Sequence, residues 1–277
     1  MTTTVLPTGA GPLARGVRDV AVLTRRNLLH PLRVPQLLAF STLQPVTSLL
    51  LFTYVFGGAM ALALPAAAAG SYVNWLIPGL LAQYGLFSGG QTAAGLAEDM
   101  TKGVVDRFRS LPTARSAVLA GRTVADLVRT AFILLLLVAV GLVIGFRPQT
   151  GPAGLAAALA VALVFAHAWS WVMVTVGLLV RTSEAVQAAG YLVLFPLAFA
   201  SSVFVPTQTM PAWLRWFTEH QPVTAVTDAA RGLILGPDAL PAGQTTGGQI
   251  VAALVWSAAI VAVFAPLAVA RYRRAAR

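Results

Sequence analysis

The chain contains no cysteine. That excludes disulfides, thiolate metal sites and a cysteine nucleophile. Charge is almost as scarce: charged residues make up 10% of the 277 residues, against about 25% in an ordinary soluble domain. From Val34 to Ala97, a run of 64 residues, there is no Asp, Glu, Lys or Arg. Lysine occurs once, as Lys102, beside 18 arginines. That bias, with abundant Ala and Gly, hints at a high-GC bacterial source. The lone lysine follows Thr101, so no phosphate-binding loop of the Gly-Lys type is present. The three histidines, His30, His167 and His220, stand apart, and no His-Glu-x-x-His pair exists. None of the nine carboxylates lies in the middle of an apolar stretch. Glu98-Asp99 and Glu219-His220 are adjacent pairs whose side chains diverge on a helix. No catalytic residue and no metal site is expected.

What fills the chain is apolar. Hydrophobic residues make up 57%, and mean hydropathy is +0.78. A bilayer core about 30 Å thick takes about 20 apolar residues to cross as a helix. A charge placed there costs about 2.5–3.5 kcal/mol on the insertion scale. The stretches free of charge are 34–97, 130–146, 148–180, 185–214 and 239–270. The first is too long for one helix and breaks at the small, breaker-rich middle around Gly57-Gly58 and Pro65 to Gly70. The expected fold is therefore an all-α polytopic membrane protein. Its six transmembrane helices run near Gln36–Phe56, Trp75–Ala97, Val124–Phe146, Gly154–Val180, Val186–Val205 and Ile250–Ala270. The small-residue sites Ala61-Leu62-Ala63 and Ala67-Ala68-Ala69 lie too far along, after too long an apolar core, to end a signal peptide, so the first span is expected to stay uncleaved.

Six spans put both termini on one side. With the N-terminus inside, 16 of the 19 Lys and Arg face the cytoplasm, and only Arg147, Arg215 and Arg231 face out. The positive-inside rule then favours N-in, C-in. Topology and anionic lipid also account for the net charge of +10, so no nucleic-acid partner is expected. The domain plan has a disordered tail (1–12), an amphipathic interfacial helix (13–33), a six-span transmembrane domain (34–270) and a basic cytoplasmic tail (271–277). Within the transmembrane domain lie a cytoplasmic segment (98–122) and an extracellular cap (206–248).

Three segments outside the spans have character. Over Leu13–Arg33, Leu13, Val17, Val20, Thr24 and Leu28 share one helical face while Arg18, Arg25 and Arg26 lie elsewhere. That is a basic amphipathic helix on the inner surface, either a plain anchor or an elbow touching a cytoplasmic partner. In 98–122, Val104, Val105, Phe108 and Leu111 recur at helical spacing before Pro112, giving a short helix with an apolar face to dock or a loop hugging the membrane. The outer segment carries Pro211, Trp213, Leu214, Trp216 and Phe217, an interfacial aromatic set, then a helix near Pro222–Leu235, and it is expected to cover the exit of a pathway. Phe87-Ser88-Gly89-Gly90-Gln91 looks like an ATPase signature loop, yet it lies inside an apolar span and reads better as small residues allowing close helix packing. The polar groups within spans are uncharged. Gln44 and Gln83, with Phe87, Phe195 and Phe199, are candidate residues of a path for an apolar or amphipathic molecule. Ordinary helix packing is the competing reading of each.

Taken together, these segments resemble the permease subunits of type-2 ABC exporters, and among them the daunorubicin-resistance permease family of actinobacteria. The likeness rests on the six-span plan and on Asp106-Arg107-Phe108-Arg109-Ser110-Leu111-Pro112 with Gly121-Arg122 and Asp126. It rests also on Phe204-Val205-Pro206 with Met210-Pro211 and Gln221-Pro222-Val223-Thr224, and it covers about residues 13–275. The resemblance implies a bacterial plasma-membrane transport subunit without an ATPase site of its own. It implies pairing with a second permease copy, expected to be a homodimer. It also implies a cytoplasmic ABC ATPase partner that holds the ATP and Mg. Asp106, Arg107, Phe108, Arg109 and Leu111 would then belong to the coupling helix that meets the ATPase. The cargo would be a hydrophobic drug or antibiotic moved by alternating access. A lipid or glycan precursor is the alternative cargo, and a secondary transporter the alternative class.

Overall fold

The computed structural model describes residues 20–22, 24, 27, 35–61, 64, 71–101, 115–180 and 182–275. Among these every regular element is helical. α1 (Pro35–Leu51) passes through a π-helical turn, Phe52–Phe56, into α2 (Gly57–Ala61). α3 (Tyr72–Leu86) and α4 (Gly90–Thr101) follow. Next come α5 (Arg115–Val143), α6 (Gly151–Leu179) and α7 (Ser183–Phe199). Two shorter helices, α8 (Ala212–Glu219) and α9 (Pro222–Leu235), precede the last, α10 (Thr246–Ala275).

Four stretches are long and apolar enough to cross a membrane: Thr42–Met60, Leu119–Val143, Gly151–Leu179 and Thr246–Tyr272. The fifth expected span is the shorter apolar helix Ser183–Phe199, which ends six residues earlier than the sequence implies. Ala200 at its C-cap leaves the helical region (φ −86°, ψ 46°), and the chain enters an irregular link. The remaining expected span, Trp75–Ala97, is not one rod. It divides into α3 and α4 at Phe87-Ser88-Gly89, where Gly89 takes φ +83°, a conformation that side chains with a Cβ rarely adopt. A Cβ on Gly89 would also lie 2.8 Å from the Cα of Ser170 in α6. The small residues therefore do allow close packing, as expected, but through a break in the helix that the apolar pattern hides.

α6 is the centre of the bundle. It touches α3, α4, α5, α7, α9 and α10, and more of it is buried than of any other span. Its small residues face its neighbours: a Cβ on Gly177 would sit 2.6 Å from the carbonyl of Ala93 in α4. Small residues that let backbones approach are how helices associate without a hydrophobic driving force between them. The N-terminal amphipathic segment falls mostly outside the described residues. Residues 20–22, 24 and 27 are helical, and Thr24 donates to the carbonyl of Gly121 in α5 (3.2 Å).

A buried link and an aromatic ladder

The expected cap (206–248) has two unlike parts. α8 is exposed, with Trp213 75% accessible and Trp216 67%. α9 is set into the bundle. All but one of its residues are buried, and it packs against α3, α6 and α10. α8 thus stands apart at the surface, while α9 is part of the bundle. Pro222 at the N-terminal end and Gly236 at the C-cap bound α9. Its far end is tied down where Gln149 N–H donates to the Ile234 carbonyl (2.9 Å).

The consequence is plainest at Arg231, which the sequence places among the outward charges, on the expected helix near Pro222–Leu235. It is fully buried. Its Nη1 donates to Asp228 Oδ1 at 3.1 Å, three residues back on the same helix. Nη2 donates to the carbonyls of Ser202 and Val203. The guanidinium lies 3.5 Å from the ring centroid of Trp75 in α3, within cation–π range. Asp228 Oδ1 also accepts from Ser202 Oγ (2.9 Å).

These bonds all converge on the irregular link 200–205. Backbone groups there have no helix to satisfy them, and burial makes an unpaired carbonyl costly. Side chains supply the partners. Thr218 and Gln221 donate to the Ala200 carbonyl, Thr224 Oγ1 accepts from Ser202 N–H (3.3 Å), and Tyr72 Oη donates to the Phe204 carbonyl (3.2 Å). Gly79 of α3 makes room for this link, since a Cβ there would stand 2.6 Å from the Val203 carbonyl oxygen.

Phe204, held in that link, is the middle rung of a continuous row of rings. Phe52 stacks on it at 4.4 Å and Phe199 at 5.4 Å. Phe56 extends the row beyond Phe52 (5.4 Å). Phe195 extends it beyond Phe199 (5.7 Å, planes within 4°), with Tyr191 at 5.4 Å and Phe87 edge-on at 6.3 Å. Three of the five candidate path residues, Phe87, Phe195 and Phe199, thus fall in one row. Gln83 is half-buried on α3, and Gln44 is exposed on α1; no ring contact joins either to it. The row borders an open apolar face: Leu51, Tyr54, Val55 and Phe56 from the first helix, and Tyr191, Leu192, Phe195 and Phe199 from α7, are exposed. Among the described residues no group of three or more His, Asp or Glu is placed to hold a metal. Arg18, Arg25, Arg26, Asp106, Arg107, Phe108, Arg109 and Leu111 lie outside the described residues.

The bundle has a helix break at Gly89 and a buried helix after the fifth apolar segment. The ABC-2 type transporter family profile matches residues 18–235. The chain belongs to the ABC-2 type transporter family. It is 36% identical over 272 residues to the daunorubicin resistance ABC transporter permease protein DrrB1 of Streptomyces coeruleorubidus, covering 98% of this chain and 92% of that one. It is 31% identical over 185 residues to a "probable doxorubicin resistance ABC transporter permease protein DrrC" of Mycobacterium tuberculosis, covering 66% of this chain and 63% of that one. This ABC-2 chain is accordingly a multi-pass membrane permease.

Phe204, Asp228 and Arg231 are what sequence reasoning missed. A signal was present: Asp228 and Arg231 stand at i and i+3, on one face of a helix otherwise apolar and small. An ion pair inside such a helix has few places to go but inward.

Proposed function

We propose that this permease is the transmembrane subunit of an ATP-driven exporter that carries a hydrophobic drug or antibiotic out of the cell. It crosses the bacterial plasma membrane six times, α3 and α4 together making one crossing, with both termini in the cytoplasm. Two copies pair through the apolar face of the first helix and α7. A separate ABC ATPase, holding ATP and Mg, docks beneath the 98–112 segment, where Asp106, Arg107, Phe108, Arg109 and Leu111 transmit its closure, and Arg18, Arg25 and Arg26 hold the elbow helix to the inner surface. ATP binding then shifts the pair between inward and outward states.

The observation that carries this reading is the aromatic row from Phe56 through Phe204 to Phe195, buried at Phe204 and open on an apolar face at its two ends, Phe56 and Phe195 with Phe199. Stacked rings offer a planar polycyclic cargo successive surfaces without charge, and the relatives are named for resistance to daunorubicin and doxorubicin. Gln83 and Gln44 would contribute hydrogen bonds at its margins. The test is reconstitution with the cognate ATPase in inside-out vesicles. ATP should drive daunorubicin uptake, and Phe199→Ala should reduce it without loss of protein. Uptake driven by a proton gradient and indifferent to ATP would overturn the assignment. An apolar face open to lipid also suits a lipid precursor, which would show itself by competing with daunorubicin for uptake.

A further inference from the structure

We propose that Arg231 and Asp228 are positioning residues for transport. They hold the link after α7 so that Phe204 joins the aromatics of the first helix to those of α7. This rests on the reading of the aromatic row as the cargo path.

Without Phe204 the row has a gap. Phe52 and Phe56 belong to the first helix, Phe195 and Phe199 to α7, and the ring contacts that join the two sets run through Phe204, at 4.4 Å on one side and 5.4 Å on the other. Phe204 stands on irregular chain, which has no intrinsic stiffness. Its position is set by what grips the carbonyls on either side, and the two just before it, Ser202 and Val203, go to one guanidinium. A planar fork reaches the carboxylate from one nitrogen and the two carbonyls from another in fixed geometry, whereas an ammonium radiates its donors from a single atom on a flexible stem. Trp75 on one face of the guanidinium and Asp228 at its edge leave it little freedom. Asp228 adds a second grip, through Ser202 Oγ.

Stability alone accounts poorly for the arrangement. A buried ion pair seldom improves on well-packed apolar residues of the same size, and here Arg231 Nε and Trp75 Nε1 make no hydrogen bond. What an apolar pair cannot do is hold two carbonyls at a fixed angle. The pair therefore acts on Phe204 through the backbone, and the first helix and α7 share one path because of it.

The test is the double variant Asp228→Leu/Arg231→Met, which removes both charges and leaves neither alone. It is measured in the complex with the ATPase. Amide exchange over 200–205 should quicken about ten-fold or more, with α6 unchanged. The apparent KM for daunorubicin should rise about five-fold, with the maximal ATP-driven rate nearly kept. Phe204→Leu should raise the KM without quickening exchange, and Arg231→Lys should not restore the wild-type KM. If the double variant does not fold, Trp75→Leu takes its place with the same two readouts. Unchanged exchange over 200–205 overturns the grip. Faster exchange with an unchanged KM overturns the link to transport. Failure of the wild-type complex to move daunorubicin at all is a failure of the export reading, and the exchange arm still decides whether the pair holds the link.

Discussion

Two sides of this bundle are built on opposite terms. Around α3 and α9 almost everything is buried, polar groups included, and an arginine is enclosed with partners for both its terminal nitrogens. Along the first helix and α7, large apolar side chains stand open, Leu192 78% exposed and Tyr54 71%. In water the second side would be an aggregation surface. In a bilayer it faces solvent of its own kind or a second copy. The difference shows where each kind of order comes from. The closed side is fixed by hydrogen bonds and close backbone approach. The open side awaits what covers it.

The sharpest way to break the contrast is to unbalance the closed side. Arg231→Ala leaves Asp228 buried without its partner and two carbonyls without donors. Losing one member of a buried pair costs about 3–5 kcal/mol, so the variant should fall sharply in yield and thermal midpoint in detergent. The paired change Asp228→Leu/Arg231→Met should keep most of both. Equal loss in the single and double variants would mean that the pair's worth lies in packing and not in charge.

Much of this architecture was legible from the chain alone. The long apolar stretches are where expected, since α5, α6 and α10 each contain a stretch long enough to read as a span. What stayed hidden depends on contacts distant in sequence. The break at Gly89 occurs within an apolar pattern that continues on either side, and only the approach of Ser170 explains it. Arg231 looked like an outward-facing charge because hydropathy counts charges and does not see partners. Its partners are Asp228 one turn back, Trp75 more than a hundred residues earlier, and two backbone carbonyls with no sequence signature. The candidate path fared unevenly for the same reason. Phe87, Phe195 and Phe199 could be picked out as aromatics in spans; Phe204 also lay in an expected span, but its place between the two sets of rings depends on the link that breaks that span.

The open side yields to a different probe. Leu192→Arg places a charge on the most exposed apolar position of α7. If that face meets lipid at mid-depth, insertion should weaken by about 2.5–3.5 kcal/mol, seen as loss of membrane-integrated protein. Normal insertion would mean that the position does not meet lipid at mid-depth. Less costly is Gly79→Ala, back on the closed side. Its Cβ would meet the Val203 carbonyl at 2.6 Å, and overpacking of this kind costs about 1–3 kcal/mol. A lower thermal midpoint should be accompanied by faster amide exchange over 200–205, because the obstruction presses on that link.

The smallest effect on folding should come with a clear effect on function. Phe195 is 45% exposed and stacks on Phe199. An aromatic pair contributes about 0.5–1.5 kcal/mol beyond area burial, and the lower end applies where the rings are half open. Phe195→Ala should therefore leave the thermal midpoint within a few degrees of wild type, in line with a change of about 1 kcal/mol or less. Daunorubicin export should nonetheless drop several-fold, because the ring lies between Phe199 and Phe87 and its removal opens the row. Phe195→Trp, which keeps an aromatic surface, should recover most of the rate. A variant pair in which alanine and tryptophan export alike would separate the row from the path.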